Sequence, residues 1–181
     1  FFGKKLQHIQ RSLIVGGGRI GERLARLLEK DGIKTKIIES DIDRCQYLSE
    51  KLDKTIVLHG DGSDQKLFIE ENAAQSDVII SVADEDETNI LVSLLAKNMG
   101  VQNTITRIGK SSYFPLLATI GIEKVVNTRL SAVSSSLQNI RKGKVLSDIS
   151  IFGEQAEFIE AIALETSDIT NKPLKKISFP K

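Results

Sequence analysis

Residues 13–21 read LIVGGGRIG, an apolar run followed by a glycine-rich turn that opens a helical pattern. We expect Gly16 to make the tight turn, Gly18 to let the backbone approach a phosphate, and Gly21 to let the helix pack closely against the strand. The unpaired N–H groups at the start of that helix would then point at the bound anion. The turn therefore predicts the first strand and helix of a fold that binds a dinucleotide or an adenine nucleotide.

A carboxylate follows the second predicted strand, which spans residues 35–38. Glu39 lies about 20 residues after the glycine turn, where such folds place the acid that binds ribose hydroxyls. A carboxylate there accepts hydrogen bonds from both hydroxyls and repels a 2′-phosphate. The sequence thus predicts a preference for NAD(H), ATP or ADP over NADP(H). It leaves the choice among these open, because Glu39 serves either ribose.

Strand-like and helix-like segments alternate from Ser12 to about Lys142. Short apolar or β-branched runs predict six strands, and the helical periodicity between them predicts six helices. The predicted strands are residues 13–15, 35–38, 55–58, 78–80, 104–106 and 125–126, and the helices begin near residues 20, 42, 66, 85, 114 and 130. Apolar strands joined by helical crossovers indicate a doubly wound parallel sheet, which is a Rossmann-like α/β fold.

The pattern changes after Gly143, where residues 149–152 and 158–164 read as two strands and residues 173–177 as a helix. These segments indicate the start of a small α+β module. The predicted domains are an N-terminal lead or linker (1–11), a nucleotide-binding domain (12–143) and part of a second module (144–181). The last part is too short to bury a core of its own, so we expect further chain or another protein to cover it.

In a doubly wound sheet the loops after the strands form one crevice, because the carboxyl ends of parallel strands meet at one edge. Five of these loops are expected to form the walls of a ligand site. They contain Gly16 to Gly21, then Glu39, Ser40 and Asp41, then Asp61, Gly62 and Ser63, then Ser81 to Asp84, and finally Arg107.

The charged residues among them have alternative interpretations. Arg19 either reaches a pyrophosphate or a β/γ-phosphate with its guanidinium or is a solvated charge in the first helical turn. Arg107 either lies over the far half of the nucleotide or pairs with Asp84 or Asp86. Asp61 is either a ligand contact or part of an ordinary Asp-Gly turn, and the neighbouring serine is interpreted as a helix cap.

An acidic run, DEDE at residues 84–87, precedes the fourth predicted helix. Clustered carboxylates suit a hard cation such as Ca²⁺, but such a run more often starts a helix and is stabilised by the helix dipole. The spacing of Asp84 and Glu87 favours the second interpretation, a variant of the capping box. We therefore predict no metal site.

Several classes of function are disfavoured. The net charge of +1 comes from dispersed basic residues, which argues against nucleic acid as a partner. The single cysteine, Cys45, fits a reducing compartment and reads as a small apolar helix residue. The chain has no GxSxG or HExxH motif and no uncharged apolar stretch of membrane-spanning length. No catalytic residue is predicted, and a nucleotide-binding module is favoured over an enzyme.

Several segments together resemble the RCK family of nucleotide-binding domains, also called KTN or TrkA-N. They are GGGRIG at 16–21, ESD at 39–41, GDGSD at 60–64, VADEDETN at 82–89 and LAKNMG at 95–100. The resemblance covers about residues 12–142. In addition, QAEFIE at 155–160 and TNKPLKKISFP at 170–180 resemble the opening of the TrkA-C domain, which this sequence carries only in part.

The resemblance implies a cytoplasmic regulator, peripheral to the inner face of the membrane, that binds NAD(H) or ATP/ADP. It also implies a homodimer or a higher ring that gates a TrkH-like potassium-translocating membrane protein. The family's ligand contacts carry over onto Gly16, Gly18, Arg19, Ile20, Gly21, Glu39, Asp61, Gly62, Ala83 and Arg107. The alternatives are a fragment of a nucleotide-dependent oxidoreductase and the RCK domain of a potassium channel or an efflux antiporter.

The last predicted helix of the nucleotide-binding domain carries an apolar stripe. Its members, spaced by three or four residues, are Leu130, Val133, Leu137 and Ile140. A homodimer that uses this stripe as its interface is one interpretation, and packing of the stripe on the chain's own sheet is the other.

Overall fold

The structure is a computed structural model that describes residues 9–140, 144–151 and 156–163, together with isolated positions between residues 165 and 177. The chain divides into two compact units, with the boundary between Thr128 and Arg129. Most of the predicted lead at residues 1–11 lies outside the described residues, and so does most of the predicted helix at 173–177.

The first unit is built on a six-stranded parallel sheet with the order β3-β2-β1-β4-β5-β6. The strands are β1 (Arg11–Val15), β2 (Lys34–Glu39), β3 (Ile56–His59), β4 (Val78–Ser81), β5 (Thr104–Arg107) and β6 (Val125–Val126). Each of the six predicted strands is present, because each apolar run is short and bounded by turn residues. The doubly wound, Rossmann-like α/β fold is confirmed.

Helices connect the strands, as the periodicity predicts. They are α1 (Arg19–Lys30), α2 (Ile42–Lys51), α3 (Gln65–Glu70), α4 (Asp86–Asn98), α5 (Phe114–Thr119) and α6 (Thr128–Ile140). Two short 3₁₀ turns, Ala73–Gln75 and Ser111–Tyr113, were not predicted. A single turn of helix has too few residues for a periodic signal, so the sequence pattern does not reveal it.

Alternate side chains of β1 enter the two layers of the core. Leu13 and Val15 pack on one face of the sheet, where α3 supplies Phe68 and α4 supplies Val92. Ile14 packs on the other face with Ala25 of α1 and Leu48 of α2. All of these side chains are nearly fully buried. The central strand is therefore covered on both sides, which explains why it reads as a continuous apolar run.

The direction of chain progression reverses at β1, which pairs with β2 on one side and β4 on the other. Val15, the last residue of β1, is level with Ile38 of β2 and Ser81 of β4. Three strand ends therefore lie side by side at the switch point. In folds of this type, that point is where a crevice opens for a ligand.

The helix caps test the finer sequence interpretations. Asp41 caps α2 as predicted, since its carboxylate accepts a hydrogen bond of 2.8 Å from the backbone N–H of Arg44. The predicted capping box at Asp84 is wrong, because Glu85 occupies the cap position of α4 and no side chain bonds there. Ser63 is not the cap of α3 either, because Asp64 accepts the hydrogen bond from the N–H of Lys66.

The second unit contains α6 from Arg129 onward and an antiparallel hairpin of β7 (Lys144–Ile151) and β8 (Ala156–Ile162). The hairpin agrees with the strand pattern of the sequence, although β7 begins earlier than predicted. On α6, Leu130 is half-buried and Val133 is exposed, whereas the side chains of Leu137 and Ile140 lie outside the described residues. The apolar stripe as a dimer interface and the domain boundary at residue 143 stay predictions.

Two further features of the described residues bear on function. Cys45 is buried on α2, as expected for a small apolar helix residue. Within the same part of the chain, no helix combines the length and apolar character needed to cross a lipid bilayer.

Candidate functional site

A cleft of about 630 Å³ lies at the carboxyl ends of the central strands. This volume is in the range of sites for small molecules and cofactors. Seven of the candidate residues line it, namely Gly16, Gly18, Glu39, Ser40, Asp61, Gly62 and Ala83. The other four, Arg19, Ile20, Gly21 and Arg107, are not among the residues that line the cleft.

Two glycines of the first turn are required by the protein itself. Gly16 has a φ of +104°, and a Cβ there would lie 2.6 Å from the backbone nitrogen of Ala83. A Cβ at Gly21 would collide with the carbonyl oxygen of Gly16, so the glycine permits the close packing of α1 on the turn. These two positions explain the geometry of the turn without any ligand.

Gly18 is different, because nothing in the described part of the chain requires a glycine there. Its φ of −60° and ψ of −170° are open to any residue, and no heavy atom lies within 4 Å of a Cβ built on it. Gly18 lines the cleft at the N-cap of α1, and no side chain caps this helix. The first N–H groups of α1 therefore have no capping side chain and carry a positive partial charge, as an anion site requires.

Arg19 and Ile20 form the first exposed turn of α1, and Ile20 is 41% exposed. Neither side chain lines the cleft. Their backbone N–H groups still belong to the uncapped start of the helix, which is where a phosphate would bind. The role of the Arg19 guanidinium stays a prediction.

The carboxylate of Glu39 is fixed at the edge of the cleft by backbone N–H groups. Its Oε2 accepts a hydrogen bond of 2.7 Å from Gly17, and its Oε1 accepts one of 2.9 Å from Asp41. The hydroxyl of Ser40 also donates to Oε1, at 3.3 Å. Three of the four acceptor positions of the carboxylate are thus used, and Oε2 keeps the remaining one for a ribose hydroxyl.

Ala83 lies opposite the glycine turn with both backbone polar groups already paired. Its N–H donates to the side chain of Asn89 at 2.8 Å, and its carbonyl accepts from Asn89 at 2.8 Å and from Arg107 at 2.7 Å. A ligand could therefore meet Ala83 only through its apolar atoms. Arg107 also lies 3.7 Å from Asp84, which is one of the two pairings expected for it.

The family assignment rests on a direct match. The TrkA-N domain family matches residues 12–128, which is more than half of the chain and coincides with the sheet and cleft described above. The chain belongs to the TrkA-N family. This agrees with the resemblance found in the sequence motifs.

A curated relative of this TrkA-N chain is the Trk system potassium uptake protein trkA homolog 1 of Methanosarcina mazei. The two are 41% identical over 181 residues, which is 99% of this chain and 45% of the relative. The chain thus spans less than half the length of that protein.

Two solved structures have the same fold. The TrkA-N domain of the inner membrane protein ybaL from Escherichia coli is 17% identical, with a TM-score of 0.66 over 75% of this chain and 100% of that one. The GsuK channel bound to NAD is 21% identical, with a TM-score of 0.61 over 81% of this chain and 26% of that one. At these identities the likeness extends to the fold alone.

One cleft residue of this TrkA-N domain, Arg44, was missed by the sequence analysis. It lies in the first turn of α2, and its Nε donates to the carbonyl of Gly17 at 2.7 Å. Its guanidinium also contacts Glu22 of α1 at 2.7 Å, and Glu22 pairs with Arg26 at 2.9 Å. Arg44 therefore ties α2 to both α1 and the glycine turn. No motif marks this contact, since its partners come from separate helices.

The pKa of Glu22 is held below its usual value by the hydrogen bond from Arg26 and then by Arg44, against burial, which raises it. A lowered pKa stabilises the fold above the unfolded value of 4.5, and this stabilisation disappears as the pH falls through the folded value. We expect Glu22→Gln to cost about 1 kcal/mol at neutral pH and to flatten the acid side of the stability profile. Urea unfolding at a series of pH values measures both effects. The variant Glu50→Gln, at an exposed position of α2, is the control, and equal slopes below pH 4.5 in Glu22→Gln and wild type would contradict the assignment.

Asp61 forms the turn that the sequence offered as one interpretation, whereas its role as a ligand contact stays a prediction. Its Oδ1 accepts hydrogen bonds from the N–H of Ser63 at 2.8 Å and from its hydroxyl at 2.7 Å. The backbone N–H of Ser63, followed by the hydroxyl, lowers the pKa of this carboxyl. Asp61 thus stabilises its own turn and also lines the cleft. Gly62 is fixed by packing, because a Cβ there would collide with Val15.

The side chains of the acidic run after β4 lie in different surroundings. Asp86 is buried and accepts hydrogen bonds from the N–H groups of Gly109 at 2.8 Å and Lys110 at 2.9 Å. Glu87 turns to the exposed surface, where Tyr113 donates to it at 2.7 Å, and this bond is the main cause that lowers its pKa to about 2. Among the described residues, no three His, Cys, Asp or Glu side chains gather as metal ligands.

The charges around the cleft restrict where a phosphate can bind. Among the described residues, five carboxylates line it, from Glu39, Asp41, Asp61, Asp84 and Glu85, against one guanidinium, that of Arg44, which is already paired. A phosphate is therefore favoured only at the uncapped start of α1, where N–H groups and the helix dipole attract it. The hydroxyl groups of a ribose are suited to the carboxylate side.

Proposed function

We propose that this TrkA-N domain is a nucleotide-binding regulatory module of a potassium uptake system. It binds NAD(H) or ATP/ADP in the cleft, and the bound nucleotide gates a TrkH-like potassium-translocating membrane protein. The observation that carries the proposal is the arrangement of Gly18 and Glu39. The open, uncapped helix start and the fixed carboxylate lie in one cleft.

The proposed ligand position follows from these two groups. The phosphates bind at the N–H groups of Gly18, Arg19 and Ile20, and the adenosine ribose binds to Glu39. The rest of the ligand, a nicotinamide ribose or a terminal phosphate, extends toward the loop of Ala83. The solved GsuK channel with NAD, which shares the fold, supports a dinucleotide in this class of domain.

The side chains that line the cleft favour a regulatory role over a catalytic one. Among the described residues that line the cleft there is no histidine, lysine, tyrosine or cysteine. A hydride-transfer enzyme needs a proton donor or acceptor next to its substrate, most often a histidine. The carboxylates of this cleft are the remaining candidates, and those of Glu39 and Asp61 already accept hydrogen bonds from the protein. The name of the curated relative, a potassium uptake protein, supports the regulatory role. Turnover of NADH with a small carbonyl or quinone acceptor would instead identify an oxidoreductase fragment.

The cleft has a means of sensing its ligand. The glycine turn and the loop after β4 are in close contact at Gly16 and Ala83. Nucleotides of different length would therefore make different contacts with these two segments. A ligand changes the conformation only by binding two states with different affinity, so NAD(H) and ATP/ADP would favour different states. We further propose that a homodimer or higher ring transmits this change to the membrane partner. The protein would then act in the cytoplasm, at the inner face of the membrane.

The ribose contact gives a sharp test with a paired ligand. Wild type is expected to bind ADP and NAD(H), and to bind NADP(H) at least about tenfold more weakly than NAD(H), because Glu39 repels the 2′-phosphate. Glu39→Gln removes the charge while keeping the side-chain length, so it should reduce this discrimination. Calorimetric titration measures each affinity.

The matched control for that test is Asp84→Asn, which removes one negative charge from the same cleft away from Glu39. It should leave the ratio of the two affinities close to that of wild type. Absence of binding by NAD(H), ATP and ADP to wild type would contradict the proposed function. An unchanged ratio in Glu39→Gln would contradict the placement of the ribose.

A further inference from the structure

Asn89 is a fully buried polar side chain on α4 that bonds to two other segments. Its Oδ1 accepts from the N–H of Ala83, and its Nδ2 donates to the carbonyls of Ala83 at 2.8 Å and Arg107 at 3.1 Å. The amide thus pairs with both polar groups of one residue, as a neighbouring β-strand would. Three of its four hydrogen-bonding positions are used.

The residue held by Asn89 is the one that the glycine turn touches. Ala83 lines the cleft, and the turn approaches it so closely that a Cβ on Gly16 would lie 2.6 Å from the nitrogen of Ala83. A shift of Ala83 would therefore change the space available to the turn and to the phosphates bound there. Asn89 itself does not line the cleft.

Arg107 holds the backbone of Ala83 less completely. It donates only to the carbonyl of Ala83, whereas Asn89 also accepts from the N–H. Loss of the Asn89 amide would leave that N–H without a partner in a part-buried position, which is unfavourable unless the loop moves to reach water. The loop after β4 is then held beside the glycine turn less firmly, by the bond from Arg107 to Ala83 and by the bond from the N–H of Val82 to the carbonyl of Val15.

We propose that Asn89 is a positioning residue that fixes the backbone of Ala83 in the wall of the cleft and thereby sets nucleotide affinity. The affinity part of this inference rests on the proposed function, while the fixing of the loop does not. Asn89 acts without touching the ligand.

Ser93 provides a matched control one helical turn further along α4. It is as buried as Asn89, and its hydroxyl bonds to the hydroxyls of Thr106 at 2.7 Å and Ser81 at 3.2 Å. Removal of this hydroxyl also breaks a buried network between α4 and the sheet. It leaves the bonds to Ala83 intact.

The experiment compares the full chain as wild type, Asn89→Ala and Ser93→Ala. Calorimetry gives the affinity for ADP and NAD, and hydrogen exchange without nucleotide gives the protection of the Ala83 amide relative to that of Ile79 in β4. In Asn89→Ala we expect binding to be roughly tenfold weaker than in wild type. We also expect the exchange rate of the Ala83 amide to rise relative to wild type by more than that of the Ile79 amide. Ser93→Ala should bind within about twofold of wild type. If Asn89→Ala does not fold, Asn89→Ser replaces it, since a serine cannot reach both polar groups of Ala83.

The outcomes separate the inference from the function on which it rests. Wild-type affinity in a folded Asn89 variant, or unchanged exchange at Ala83, would overturn the inference. Equal losses of affinity in the Asn89 and Ser93 variants would also overturn it, because a general loosening of α4 would then be sufficient. If wild type binds neither nucleotide, the proposed function fails, and the exchange at Ala83 still decides whether Asn89 fixes the loop.

Discussion

A folded protein that no longer binds nucleotide is the expected result of replacing Gly18 with valine. The backbone at this position is extended, and no atom lies within 4 Å of a Cβ built on it. The unliganded protein should therefore accept the side chain at a cost of about 1 kcal/mol or less, which is typical for an apolar residue at a helix N-cap. In the proposed complex, however, the two methyl groups occupy the space of the phosphates. We expect the affinity for ADP and NAD to fall by a factor on the order of 100 or more.

The control for this prediction is Asp64→Val, which places the same side chain at another helix N-cap. The carboxylate of Asp64 caps α3 by accepting a hydrogen bond from the backbone N–H of Lys66, and Asp64 does not line the cleft. Its replacement should cost more stability than Gly18→Val and leave nucleotide affinity nearly unchanged. Calorimetry and urea unfolding of both variants measure the two effects. If Gly18→Val binds ADP as tightly as wild type, the phosphates do not lie at the start of α1.

The strand order and the cleft follow from patterns that are local in the sequence. Each strand is a short apolar run and each crossover is a helix, so parallel pairing and right-handed connection bring the strand ends together. Glu39 and the glycine turn are therefore correctly placed beside each other before any side-chain contact is known. The hydrogen bond from Gly17 to Glu39 is the observed result.

Side-chain pairing between distant segments could not be predicted in this way. The bonds from Arg44 to Glu22 and from Asn89 to Ala83 depend on the rotamers and on the spacing between elements, neither of which has a periodic signal. The prediction of Asp84 as the cap of α4 is wrong for a similar reason. Its acidic run offers several possible cap residues, and the carboxylate of Asp86 bonds instead to the N–H groups of Gly109 and Lys110.

The sequence also could not separate the roles of the glycines in one motif, because they differ only in their surroundings. Gly16 is required by its positive φ and by the closeness of Ala83, whereas nothing among the residues that the structure describes requires a glycine at position 18. The motif therefore contains both structural and ligand-dependent positions. Substitution by alanine at each position should distinguish them.

Gly16→Ala is expected to destabilise the protein far more than the same substitution at Gly18. A non-glycine residue at positive φ costs about 1–3 kcal/mol, and overpacking against a rigid neighbour costs about 1–3 kcal/mol more. Here the neighbours are backbone atoms, since the new Cβ would meet the nitrogen and Cα of Ala83 and the carbonyl carbon of Val82. These atoms are held by Asn89 and Arg107 and cannot move aside cheaply. The total, about 2–6 kcal/mol, is a large fraction of the stability of a typical domain.

Gly18→Ala is the matched control, because the same methyl group is added two residues away at an unstrained position. Urea unfolding should show a loss of free energy of unfolding for Gly16→Ala that exceeds that of Gly18→Ala by about 2 kcal/mol or more. The difference matters for function, since the Gly16 contact couples the glycine turn to the loop after β4. If the two variants are equally stable, the turn and that loop adjust freely to one another. A nucleotide that displaces the glycine turn would then have no rigid contact through which to move the loop after β4.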